Sequence, residues 1–169
     1  DWWDADSTTA LAQFPAGFPI TIAAGIRTGL APGQAARAVE AMSAFGLVVA
    51  VVLLLDGTAG APAGLLAVVL LAATPAIFDN YIRVLSEPLF LLLLVLTLAA
   101  MTLTPERPWL AGLFGALGEL VRYSGVALGV AAVLWSLGRG GPWRSRIERA
   151  LEAALPVVAV RTWWTVRLH

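Results

Sequence analysis

Two stretches of this chain constrain its fold more than anything else. Residues 59–78 hold twenty residues in succession without a charged side chain, and residues 88–105 hold eighteen. An apolar run of about 20 residues, coiled as a helix, matches the roughly 30 Å hydrocarbon core of a bilayer. Such a helix satisfies all its backbone polar groups internally, which the bilayer demands. The composition agrees. Of the 169 residues 59% are hydrophobic and 13% are charged, against about 25% charged in ordinary soluble domains, and mean hydropathy is +0.83. The expected fold class is therefore all-α: a polytopic transmembrane helical bundle.

Other classes fall away. The formal net charge is zero, which gives no basic field for nucleic acid. There is no cysteine, hence no disulfide, thiol catalysis or cysteine-ligated metal. The one histidine is the terminal His169 and reads as a chain end. No GxGxxG, Walker or HExxH pattern occurs, and "LGRGG" follows no strand and reads as a linker. The chain opens on Asp1, shows no signal-peptide pattern, and closes on "RTWWTVRLH". It is expected to be a section of a longer membrane protein.

Along the chain, residues 1–19 are polar, aromatic and rich in Pro and Gly, and read as a loop at a membrane surface, where Trp2 and Trp3 suit the interface. Residues 18–30 suggest a short helix. At 1.5 Å per residue its rise is roughly 20 Å, too little to cross. Together 1–32 form an exoplasmic loop with a juxtamembrane helix, and 33–169 supply about five to six transmembrane helices of one partial domain. A helix from about Gln34 to Leu55 has a polar start, with Arg37 and Glu40, and a purely apolar second half. "DGTAG", 56–60, and "TPERP", 104–108, read as turns. "WLAGLFGALGELVRY" and "SGVALGVAAVLWSLG" are each short for a span. "GRGGPWRSRIER" reads as a basic loop, and 150–168 as a weaker span broken by Pro156. Alternating the spans places 56–60, 104–108 and 138–149 on one side, with Arg107, Arg139, Arg144, Arg146 and Arg149; that arginine-rich side is expected to be cytoplasmic. The N-terminal loop, residues 79–87 and the break at 119–124 then share the exoplasmic side, where Arg27, Arg37, Arg83 and Arg122 run against the bias.

Four constellations could carry chemistry. In "RVLSEPLF", 83–90, Ser86-Glu87-Pro88 makes a favourable helix start. Two readings stand: a capped helix with a local Arg83–Glu87 pair, or the wall of a polar pocket. In "GELVRYSG", 118–125, Glu119, Arg122 and Tyr123 interrupt a helical hairpin, either as a plain turn or as groups facing a cavity, since polar residues at membrane depth are costly. Two arginines and two glutamates on one face would surround an anion, and arginine's planar fork suits phosphate oxygens. "FPAGFP", 14–19, implies a rigid, non-helical backbone before the short helix. Asp1, Asp4 and Asp6 are either a solvated loop or carboxylates available as a base or to hold a metal.

Taken in order, "FPAGFP", two spans, "RVLSEPLFLLLL" and a short helix ending in "VRYSG" resemble the multi-spanning, C-type glycosyltransferases. They are most like the bacterial branch related to glycosyltransferase family 39, over about residues 14–137. Ala16 stands where that element has its second proline, and Phe18 where it has tyrosine. The resemblance implies transfer of a sugar from a polyprenyl-phosphate donor to an acceptor outside the cytoplasm, in the cell membrane, with the lipid-linked sugar as co-substrate and neither metal nor other cofactor. It implies that Arg122 contacts the lipid phosphate and that Arg83 and Glu87 shape the same pocket, with Glu119 and Tyr123 beside them. Phe14, Pro15, Gly17 and Pro19 would lie in the loop over the site. The family's catalytic aspartate lies in the first exoplasmic loop, after a first transmembrane helix. The resemblance therefore places it upstream of this chain, with Asp1, Asp4 and Asp6 as candidates within it, and this section alone is expected to be inactive. The alternatives are a membrane transporter or channel subunit, which intramembrane charges and interrupted helices serve equally well, and a non-catalytic remnant of the family.

Overall fold

The computed structural model describes residues 15–74 and 86–167. Among these, seven α-helices and one 3₁₀ turn follow one another, with no strand. They are α1 (Gly17–Arg27), α2 (Pro32–Ala59), α3 (Ala61–Ala72), α4 (Glu87–Leu103), α5 (Pro108–Val121), the turn Tyr123–Gly125, α6 (Val126–Gly138) and α7 (Trp143–Arg167). The all-helical expectation holds. Among the described residues only α2, with 28 residues, is long and apolar enough to cross a membrane by length and composition; α3 to α6 are shorter apolar helices.

Helix α5 is the centre of the arrangement, contacting α1, α4, α6 and α7. Its sequence explains why. Gly112, Gly115 and Gly118 recur every three residues, nearly one helical turn, and each lets a neighbour come close. A Cβ on Gly112 would lie 2.0 Å from the Ala153 carbonyl oxygen of α7, and one on Gly115 would lie 2.7 Å from the Gly129 nitrogen of α6. Small residues permit this near-contact of backbones, the packing mode that dominates where no water drives helices together.

The buried set carries the same signature. Nine of the thirteen buried apolar residues are alanine, while Met42, Phe45, Leu65, Leu66, Leu151 and Leu155 are exposed. The buried hydroxyls of Thr97 and Ser136 donate to the carbonyls of Leu93 and Ala132, one turn back in their own helices, so neither is left unsatisfied. Small residues inside and large aliphatic residues outside invert the order of a water-soluble core.

Several local expectations need correction. α2 does not stop before "DGTAG" but runs to Ala59, and Gly60 alone turns the chain, at φ +87°. Gly57 stays helical with the Leu103 side chain of α4 against it: a Cβ there would lie 2.5 Å from Leu103 Cδ2. "FPAGFP" is not extended throughout, since helix α1 begins at Gly17. Pro19 sits in the first turn, where the missing N–H has no intrahelical partner to lose. The basic loop shrinks to residues 139–142. Gly141 takes φ +116°, and α7 starts at Trp143, so Arg144, Arg146 and Arg149 are helical. Pro156 does not break α7, which continues to Arg167. The turn at 104–108 and the break after Val121 appear as expected.

Candidate functional site

Three of the sequence elements singled out above meet at one end of the bundle. Gly17, the first residue of α1, is pressed against the last turn of α5: a Cβ there would lie 2.6 Å from the Leu120 carbonyl oxygen. The next residues of that turn carry Arg122, whose Nη1 donates to Glu87 Oε1 at the start of α4. "FPAGFP", "RVLSEPLF" and "VRYSG", far apart in sequence, are thus contiguous. The opposite end gathers Gly57, Leu103 and Arg139, whose guanidinium donates to the Pro105 carbonyl. The turn at 104–107 and the loop at 139–142 therefore share one end of the bundle, and the break after Val121 lies at the other.

The break that delivers Arg122 has a simple local cause. α5 closes with the Arg122 N–H on the Gly118 carbonyl, 2.9 Å. Arg122 itself is extended, φ −148° and ψ 144°, and the Gly125 N–H returns to the Arg122 carbonyl at 2.8 Å. Gly125 then sits so close to α5 that a Cβ would fall 2.1 Å from the Gly118 carbonyl carbon. The hairpin closes only because position 125 has no side chain, and its closure throws Arg122 outward toward α4.

Glu87 does not serve as a plain N-terminal charge. Ser86 occupies the cap position of α4 but has helical dihedrals, φ −74° and ψ −10°, and makes no side-chain cap bond. A capping serine needs the extended conformation to aim its oxygen at the first free N–H groups, so the expected capping by Ser86 is corrected. Pro88 does sit in the first turn, as expected. Glu87 and Arg122 are each about a third exposed, 32% and 39%: open to a ligand, yet tethered to one another.

Glu119 takes a different partner. Its carboxylate, 8% exposed, pairs with Arg161 of α7, which is 61% exposed. The two acidic residues thus belong to two separate pairs, one joining the α5 terminus to α4 and the other joining it to α7. Beside the second pair lies an open groove of about 340 Å³ lined by Glu119, Val126, Val157, Val158, Arg161 and Thr162. Arg161 was not among the residues that the sequence motifs singled out. Its signal was present: it is the one charge between "LPVVAV" and "TWWTV", an arginine interrupting an apolar helix.

Glu40 is a second missed residue. It is 4% exposed, on the buried stripe Ala36, Glu40, Ser43, Leu47, Ala50 of α2, whose steps of four and three residues mark a helix-packing seam. α2 and α4 run parallel in a fixed register, Gly46 beside Leu92 and Gly57 beside Leu103, forty-six residues apart in each case. The same register sets Glu40 level with Ser86, one residue from Glu87.

Of the remaining candidates, Tyr123 is exposed in the 3₁₀ turn. Pro15 is half-buried, Gly17 buried and Pro19 exposed. Asp1, Asp4, Asp6, Phe14 and Arg83 lie outside the described residues. Among the described residues no group of three His, Cys, Asp or Glu is placed to hold a metal ion.

The architecture is a helical bundle with a charged, broken-helix end and an arginine-carbonyl end. No family model, curated protein or solved structure matches the chain.

Proposed function

We propose that this chain is a section of a polytopic membrane glycosyltransferase that moves a sugar from a polyprenyl-phosphate donor to an acceptor on the exoplasmic side. The observation that carries the proposal is the convergence of three separate elements: Gly17 against Leu120, and Glu87 paired with Arg122 across thirty-five residues. A capped helix with a local ion pair requires no such meeting. Membrane residence is supported by α2, by the small-residue interior and by the aliphatic exterior.

In this mechanism Arg122 meets the donor phosphate. Glu87 holds the guanidinium by one Nη and leaves its remaining donors available, and arginine's fork then takes two phosphate oxygens at once. As the glycosidic bond to the phosphate breaks, negative charge grows on the leaving oxygen and Arg122 offsets it, lowering the barrier electrostatically. A carboxylate removes the acceptor hydroxyl proton; Asp1, Asp4, Asp6 or an upstream aspartate are its candidates. Arg83 belongs to the same wall in this proposal, and the arginine-rich opposite end faces the cytoplasm.

The test is turnover of a polyprenyl-phosphate sugar by protein expressed from its whole reading frame. Arg122→Ala should lower kcat at least a hundredfold, in the range found for loss of one charge-stabilising group. Unchanged turnover in Arg122→Ala would overturn the mechanism. Solute uptake by proteoliposomes, with no sugar transferred, would identify a transporter instead.

A further inference from the structure

We infer that the groove between the end of α5, the start of α6 and the C-terminal half of α7 is a binding site for a bilayer glycerophospholipid. Arg161 would hold its phosphate, and Val126, Val157 and Val158 one acyl chain. The inference rests on the membrane reading alone and is independent of sugar transfer.

Its chemistry is set by the ion pair. Glu119 is more than nine-tenths buried and its charge is met by one Nη of Arg161. A guanidinium carries five N–H donors in a planar fork, and among the described residues the Arg161 side chain serves Glu119 alone. Its other donors face outward at 61% exposure. On a helix flank bordered by lipid, unsatisfied donors are expensive; a phosphate oxygen satisfies them with a charge-assisted bond. Glu119 anchors the guanidinium from below, so that its outer edge is already oriented.

The walls complete an amphiphile's outline. Three valines line the roughly 340 Å³ groove, and Val157 is itself supported from behind, since a Cβ on Gly129 would lie 2.9 Å from Val157 Cγ2. Trp163 and Trp164, with ring centroids 6.2 Å apart, follow within one turn of Arg161. Paired tryptophans mark the headgroup level of a bilayer, the depth at which a lipid phosphate lies. Leu155 and Leu151 precede Val158 by three and seven residues, on the same side of α7, and both are exposed; along them a chain would extend away from the phosphate.

The experiment is native mass spectrometry of delipidated protein, from its whole reading frame in detergent, with added phosphatidylglycerol, phosphate-free diacylglycerol or inorganic phosphate. The wild type should retain phosphatidylglycerol at least tenfold better than diacylglycerol, and inorganic phosphate at equal concentration should not displace it. Arg161→Ala would leave Glu119 without its counter-charge, so the deciding variant is Glu119→Gln with Arg161→Ala, which removes both charges. It should lose retention about tenfold, while Glu119→Gln alone, with Arg161 intact, should retain the lipid as well as the wild type or better. Wild-type retention in the double variant, equal retention of diacylglycerol, displacement by inorganic phosphate, or no lipid retained by the wild type would each overturn the inference. Failure of the membrane reading is distinguishable: the protein would then stay in solution without detergent and would not float with vesicles.

Discussion

Gly125 is the position where one methyl group should cost the most. In Gly125→Ala the new Cβ would lie 2.1 Å from the Gly118 carbonyl carbon, 2.2 Å from the Glu119 nitrogen and 2.3 Å from the Gly118 oxygen. All three are backbone atoms of α5, so no side-chain rotation relieves the clash. Ordinary contact begins at 3.4 Å, and the hairpin must therefore open by more than 1 Å. Overpacking of this kind costs about 3 kcal/mol, the upper part of the usual range, because the obstacle cannot yield. Opening also strains the 2.8 Å bond from the Gly125 N–H to the Arg122 carbonyl and draws Arg122 away from Glu87. The assay is reversible unfolding in mixed detergent micelles, followed by circular dichroism, with Gly138→Ala as control. Gly138, the last residue of α6, has open space where its Cβ would stand, so that substitution should be neutral or stabilising by roughly 0.5–1 kcal/mol. Gly125→Ala within about 0.5 kcal/mol of wild type, on the precision of independent substitutions, would refute the close packing of α5 on α6 and with it the account of how Arg122 is presented.

Two further outcomes follow from the same structure. Pro156 lies inside α7 and cannot donate to the Glu152 carbonyl, so Pro156→Ala should raise unfolding stability by about 1 kcal/mol; a loss would mean that the proline ring packs better than the missing bond costs. Arg139 donates to the Pro105 carbonyl and lies 5.0 Å from the Trp135 ring centroid, so Arg139→Ala should lower stability by about 2 kcal/mol in the same assay, and Arg139→Lys, which keeps the charge but not the planar fork, by about half as much.

Arginines at that second end, with no ion pair among the described residues, show what a helix terminus does with cations. Arg146 Nε donates to the Leu137 carbonyl at 2.6 Å and Arg149 Nη2 to the Gly140 carbonyl at 2.9 Å. α6 ends at Gly138, leaving its last carbonyls without intrahelical partners, and its negative dipole end favours positive charge. Arg146 thus closes the C-terminal end of α6, and Arg149 fastens the loop that follows it.

Much of this was legible in the amino-acid order. Charge-free runs predict helices, because a backbone surrounded by apolar side chains must satisfy its own hydrogen bonds. The break at "VRYSG" and the turn at "TPERP" were readable as polar or proline-bearing interruptions of those runs. The glycine steps of α5 are a local pattern, and a helix translates such a pattern directly into one small-residue face. The ends of elements were less legible. Whether Gly57 bends or stays helical depends on Leu103 lying against it, and whether Pro156 breaks α7 depends on the packing of Ala150 and Ala153 on its inner face.

Pairing lay beyond the sequence altogether. Glu87 had a candidate partner four residues away in Arg83, and periodicity alone favours such local pairs. Arg83 lies outside the described residues; among those described the partner is Arg122, reached because α4 and α5 pack side by side and Gly125 lets the next turn fold back. Glu119 and Arg122, three residues apart, would share a face in a continuous helix. The chain leaves the helix between them, so they point to different sides and acquire different partners. The residue types at this end of the bundle, carboxylates and arginines beside apolar helices, were determined by the sequence. Which carboxylate neutralises which arginine, and which guanidinium edge is left facing outward, was decided by tertiary structure, because charge pairing is a matter of distance in space and the sequence specifies only distance along the chain.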